Sequence, residues 1–218
     1  MKDYPKSLKD PSEIEARKQR LSQKHIKPLT DLVEEIKHEQ PGKDVPWFDP
    51  LDGGIRAQCL FVLESPGRMT KNKSGSGFIS RNNNDETAKN FFNFNEEAGI
   101  PRKNTVTWNI VPWDISLNGK KQTPQKSEIE TGLNYLNRLI NRLPNLRVIV
   151  LVGKKAQKVE EQLRVRFTDI EIAKCYHPSP LFVNRNEQNE QKIVNALKLV
   201  RRILDGLNWT GGPPFVVR

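Results

Sequence analysis

The chain has 218 residues, 35% of them hydrophobic and 28% charged, with a formal net charge of +10. No run of about 18 apolar residues occurs, which excludes a membrane-spanning helix, and charged Met1–Ser12 lacks the apolar stretch of a secretory signal. An isoelectric point near 9.6 points to a polyanionic partner, nucleic acid first. Cys59 and Cys175 are too few for a four-thiolate zinc or iron–sulfur site. They read as small buried hydrophobes in a reducing compartment, and neither a metal nor a cofactor is expected.

Residues 1–45 are polar, with Ile14, Leu21, Ile26, Leu29, Leu32, Val33 and Ile36 at helical spacing between Ser12 and His38. Ser12 is the expected N-cap, Pro28 a break or kink, and Pro41-Gly42 the end. This segment reads as one or two helices, an N-terminal extension packed on a domain spanning 46–218. Turn-rich residues from Pro46 to Gly54 follow. The short apolar run Ala57–Leu63 is typical of a strand covered on both faces. A polar loop from Arg68 to Asp85 leads to a helix over Glu86–Ala98 with Phe91, Phe92 and Phe94 as bulk. Thr105–Val111 is β-branched and reads as a strand, Ser127–Leu143 as an amphipathic helix, and Leu146–Val152 as a buried strand. Lys154–Leu163 reads as a helix, Ile170–Tyr176 as a strand and Asn189–Leu204 as a closing helix. The tail from Asn208, with Gly211-Gly212-Pro213-Pro214, reads as irregular. Strands alternating with helices predict an α/β fold: a three-layer α/β/α sandwich around a mainly parallel four-stranded sheet.

In open α/β sheets, ligands bind beyond the carboxyl ends of the strands. Four such ends carry unusual residues: Glu64-Ser65-Pro66-Gly67; Asn109 with Pro112-Trp113-Asp114; Gly153-Lys154-Lys155; and His177-Pro178-Ser179-Pro180-Leu181. A parallel sheet would gather them at one rim. No glycine-rich phosphate loop ending in Lys-Ser or Lys-Thr follows the first strand, which argues against a nucleotide-binding domain.

These segments resemble the uracil-DNA glycosylase superfamily over Ala57–Leu204. Glu64-Ser65-Pro66-Gly67 is similar to its water-activating motif, and His177-Pro178-Ser179-Pro180-Leu181 to its His-Pro-Ser-Pro-Leu loop. Gly77-Phe78 falls where the family places a ring on the base, and Trp108-Asn109-Ile110-Val111 where it places the base-reading Asn. The resemblance implies a monofunctional DNA-repair glycosylase. It would flip uracil out of DNA at a cost of a few kcal/mol, hydrolyse the N-glycosidic bond and leave an abasic site.

By that resemblance His177 donates a hydrogen bond to the base carbonyl where negative charge develops, the oxyanion-hole logic. The Asn109 amide matches the N3–H and O4 of uracil and mismatches cytosine. Phe78 stacks on the base, Glu64 activates water, and Ser65 bonds the base or a phosphate. Leu181 is the wedge that fills the vacated stack, while Ser179 and Arg185 grip phosphates. Lys154 and Lys155 would open a helix whose N–H groups favour a phosphate. Lys71, Lys73 and Arg81 would follow the DNA strand.

Two departures stand out. Ser65 occupies the position where the best-known branch has Asp; a carboxylate one place earlier, like Glu64, belongs to a branch whose four cluster cysteines are missing here. Gly67 replaces the Tyr that excludes the thymine methyl. Rival readings are therefore a glycosylase for thymine in mismatches, hypoxanthine or xanthine, and a damage-binding protein without catalysis. A monomer acting on single- or double-stranded DNA in a prokaryotic or phage-like cytoplasm, near the nucleoid, is expected.

Overall fold

A computed structural model describes residues 1–72 and 74–207; Lys73 and the irregular-looking tail from Asn208 lie outside the described residues. The chain opens with α1 (Pro11–Lys18) and α2 (Lys27–Glu39), followed by β1 (Trp47–Phe48), β2 (Cys59–Leu63) and β3 (Phe78–Ile79). Then come α3 (Glu86–Glu97), β4 (Thr105–Asn109), β5 (Ser116–Leu117), β6 (Lys120–Lys121) and α4 (Lys126–Ile140). β7 (Val148–Val152), α5 (Glu160–Arg166), β8 (Glu171–Cys175), α6 (Pro180–Val183) and α7 (Gln188–Leu204) complete it. Among the described residues no helix is long and apolar enough to cross a membrane.

The first helix is capped by Asp10, not by Ser12. The Asp10 carboxylate accepts the Ser12 backbone N–H at 2.9 Å and its hydroxyl at 2.7 Å. Pro28 sits in the first turn of α2, where its missing N–H costs nothing. It therefore opens a helix instead of kinking one. Leu29, Leu32, Val33 and Ile36 along α2 are completely buried and share a core with the sheet.

The main sheet runs β4-β2-β7-β8, every pair parallel. Side chains alternate across it, as a period of two requires. Leu60, Val62, Trp108, Ile149 and Leu151 face α2 and α4, whereas Cys59, Phe61, Val148 and Val150 face α3 and α7. This is the expected three-layer α/β/α sandwich. Gly132 of α4 lies so near β4 that a Cβ there would sit 1.8 Å from the Ile110 carbonyl oxygen; only glycine permits that approach.

The chain steps from β2 outward to β4, then returns to the other side of β2 for β7 and β8. That reversal is the topological switch at which open α/β sheets form a crevice. Beside it, β1 and β3 pair in parallel, and the β3 end continues into a loop held by a buried ionic network. The Asp49 carboxylate accepts from Arg17 at 2.5 Å and Arg102 at 2.7 Å, and also from the Ser80 hydroxyl. Burial alone would raise the Asp49 pKa; the charges of Arg102 and Arg17 outweigh it and hold the carboxyl below its usual range. Arg17 also donates to the Asn82 side chain at 3.0 Å, and Asn82 donates to the Tyr4 carbonyl at 2.8 Å.

Removing one partner of a buried pair strands the other charge, at a cost of about 3–5 kcal/mol. Asp49→Ala is therefore expected to lower the unfolding free energy by roughly that amount in a denaturant titration. A loss below about 1 kcal/mol, the range of exposed pairs, would show that the network does not hold the fold.

Candidate active site

The ladder between β2 and β4 continues past the strand ends. Ile110 N–H donates to the Leu63 carbonyl at 2.8 Å and Val111 N–H to that of Glu64 at 3.0 Å. This fixes Glu64-Ser65 beside Asn109. A cavity of about 570 Å³ opens above them, with Ser65, Gly67, Ile79, Phe91, Asn109 and His177 on its walls. Residues that follow β2, end β4 and follow β8 thus meet at one crevice.

Asn109 is only 3% exposed, and its amide makes no hydrogen bond among the described residues. The amide is not among the buried unpartnered side-chain atoms, so it keeps contact with the open cavity that it lines. The Ser65 hydroxyl, in contrast, is buried without a partner. His177 stands where β8 gives way to its loop. Its Cβ lies 3.1 Å from the position a Cβ on Gly153 would take, and Gly153 has φ +84°. Asn90 of α3 pins the next residue by donating to the Pro178 carbonyl at 3.0 Å. Burial first, and the positive charge of Lys121 second, lower the His177 pKa to about 4. The imidazole is therefore neutral at physiological pH and offers one N–H donor.

Glu64 stands just outside the cavity lining. Lys121, on β6, brings its amine 4.0 Å from the Glu64 carboxylate and donates to the Ser65 carbonyl at 3.2 Å. Lys121 lines the cavity and is a site residue that the sequence reading missed. A signal for it existed: Asn118-Gly119, with φ of 50° and 75°, is a typical two-residue hairpin turn and joins β5 to β6.

Several expected residues lie elsewhere. Phe78 is completely buried and does not line the cavity. Strand alternation in β3 gives the cavity Ile79 instead, and the aromatic ring on its wall is Phe91 of α3, edge-on to Phe61 at 4.9 Å. Arg81 is buried, donating to the Thr105 hydroxyl at 2.7 Å, and so cannot follow a DNA strand. Lys71 is tied to Asp114 at 2.6 Å. Lys154 and Lys155 do not open an α-helix: residues 156–159 form a short 3₁₀ turn, and α5 starts at Glu160. Leu181, by contrast, is 89% exposed on α6, whose N-cap is Ser179, and Arg185 is exposed just beyond. Tyr176 stacks on Phe182 at 4.4 Å, which braces α6 against the end of β8.

A doubly wound sheet with a cavity over its switch point, lined by both polar and apolar side chains, defines an α/β protein with its crevice where such sheets bind ligands. The chain belongs to the uracil DNA glycosylase superfamily, whose family model matches residues 50–201, more than half of its length. No curated protein matches it. Among solved structures, wild-type SMUG2 of Pedobacter heparinus is similar, with a TM-score of 0.51 and 13% identity over 85% of this chain and 86% of that one. A candidate uracil DNA glycosylase of Methanosarcina acetivorans gives a TM-score of 0.42 and 15% identity over 67% of this chain and 92% of that one. At these identities the first likeness speaks for the fold alone.

The state of His177 is open to measurement. Its ordinary value is 6.5 and its folded value about 4. As pH falls between these values the unfolded chain takes up the proton first, so native stability drops there and is fully present above 6.5. An NMR titration of the imidazole should show a midpoint near 4, moving upward in Lys121→Met as a positive neighbour is lost. A midpoint at the ordinary value would contradict the buried, neutral assignment.

Proposed function

We propose that the protein is a DNA glycosylase that hydrolyses the N-glycosidic bond of a flipped uracil and leaves an abasic site. The observation that carries this reading is the Asn109 amide, held by no side-chain hydrogen bond among the described residues, lining the same cavity as a neutral imidazole. An amide offers a donor and an acceptor side by side, which fits the N3–H and O4 of uracil and mismatches cytosine. The His177 N–H is available to the carbonyl oxygen that gains charge as the base departs. A neutral donor suits that role, because the charge to be stabilised appears only in the transition state.

Water delivery falls to Glu64, beside the cavity and within 4.0 Å of the Lys121 amine. A carboxylate there orients water and offsets the cationic character of the sugar. Ser65, at the position where the best-known branch has Asp, is a hydrogen-bonding group for the base and not the water activator. Phe91 takes the apolar wall originally expected of Phe78. Leu181 enters the vacated stack, with Ser179 and Arg185 on the phosphates beside it. The protein works on DNA as a monomer.

A second reading, removal of further deaminated or mismatched bases, is favoured by Gly67. A Cβ at this cavity residue would meet only the Thr70 hydroxyl, at 4.0 Å, so space remains where a base methyl could sit. Thymine exclusion is not enforced from this position.

The test is release of free base from oligonucleotides carrying uracil, thymine opposite guanine, hypoxanthine or xanthine. Uracil release is expected, falling by roughly 10²–10³ in His177→Ala with DNA binding nearly kept. Tight DNA binding with no release of any base would make the protein a damage binder. Equal losses of binding and release in His177→Ala would make this histidine structural.

A further inference from the structure

We propose that Lys121 gives the protein a second activity: its amine forms a Schiff base with the aldehyde carbon of an abasic deoxyribose and cleaves the strand by β-elimination. This goes beyond the single hydrolytic activity implied by the resemblance, and it rests on the cavity being the seat of a flipped nucleotide.

The placement of the amine carries the inference. Glu64 is the carboxylate assigned to the sugar carbon, and the Lys121 amine lies 4.0 Å from it. Both can therefore reach the same C1′ atom. The amine is oriented by donation to the Ser65 carbonyl at 3.2 Å, and the short hairpin with its Asn118-Gly119 turn holds it at the cavity. Lys6, another lysine on the cavity wall, is engaged by Glu86. Although 43% of the Lys121 side chain is exposed, crowding of its amine lowers its pKa, partly countered by Glu64 and Asp114. A larger share of free amine is the condition for attack on a carbonyl.

The step balances without an oxidant or reductant. Base release leaves a hemiacetal sugar in equilibrium with its open-chain aldehyde. The Lys121 nitrogen lone pair forms a C–N bond to C1′, and the carbonyl π pair moves to oxygen. The resulting carbinolamine loses water to give the protonated imine. Glu64 is placed to accept a proton from C2′; the released pair forms a C=C bond as the C3′–O bond breaks and the phosphate leaves. Water then hydrolyses the unsaturated imine and returns the free lysine.

The experiment uses the full chain and a duplex with a preformed abasic site, made chemically so that no base release is needed. With sodium borohydride a covalent protein–DNA adduct is expected, and without it a break on the 3′ side of the abasic site. Mass mapping of the reduced wild-type adduct should place it on Lys121. Lys121→Arg, which keeps the charge but cannot form the imine, should abolish the adduct while thermal unfolding stays cooperative. No adduct from the wild type, an adduct mapped to another amine, or an undiminished adduct in Lys121→Arg would overturn the proposal. Because the abasic site is supplied, adduct formation without uracil release would sink the glycosylase reading alone. Uracil release without an adduct would sink only the second activity.

Discussion

One carboxylate, Asp49, ties together the parts of the molecule on which the cavity depends. It lies fully buried between Arg17 of the first helix and Arg102 before β4, and it also takes the Ser80 hydroxyl at the start of the loop that walls the cavity. Two ionic partners and a hydroxyl are needed to offset the desolvation of a charge at this depth. Their geometry forces three distant stretches of chain into one place. Residues 1–18 thereby become a brace for the cavity loop: Leu8 N–H donates to the Asn82 carbonyl at 3.1 Å, and Lys6 engages Glu86 at the start of α3.

The surface and the cavity follow opposite electrostatic rules. The chain carries a net charge of +10, suited to drawing in a polyanion from a distance. At the strand ends that floor the cavity the groups are uncharged: a neutral imidazole, an amide and a hydroxyl without side-chain partners. Long-range attraction there would be wasted on a neutral base, whereas directional donors discriminate one base edge from another. Lys121 joins the two regimes, since its charge helps keep His177 neutral while its amine stands beside Glu64.

The fold was largely legible because its strands are short, apolar and separated by periodic helices. Val148–Val152 and Cys59–Leu63 sit where their apolar runs predict, and the parallel order follows from the alternation. The convergence of Ser65, Asn109 and His177 followed from strand ends alone. Phe78 was misplaced because two-residue β3 offers too little pattern to tell which of Phe78 and Ile79 faces inward. Arg17 and Asp49 read as ordinary polar residues because their pairing spans 32 positions, and no local spacing encodes it. Arg81 and Lys71 looked like free cations for the same reason: their partners, Thr105 and Asp114, are remote in sequence. Lys154-Lys155 failed differently, since a 3₁₀ turn replaced the regular first turn that an anion site requires.

The central claim is that a single extruded uracil lies between the Asn109 amide and the His177 imidazole. A crystal structure of the protein bound to duplex DNA carrying a non-hydrolysable deoxyuridine analogue tests it most directly. The account predicts the base in the cavity, with Asn109 and His177 each within about 3.2 Å of its polar edge and Leu181 in the gap of the stack. A base still stacked in the duplex, or extruded to a place neither side chain can reach, would contradict it.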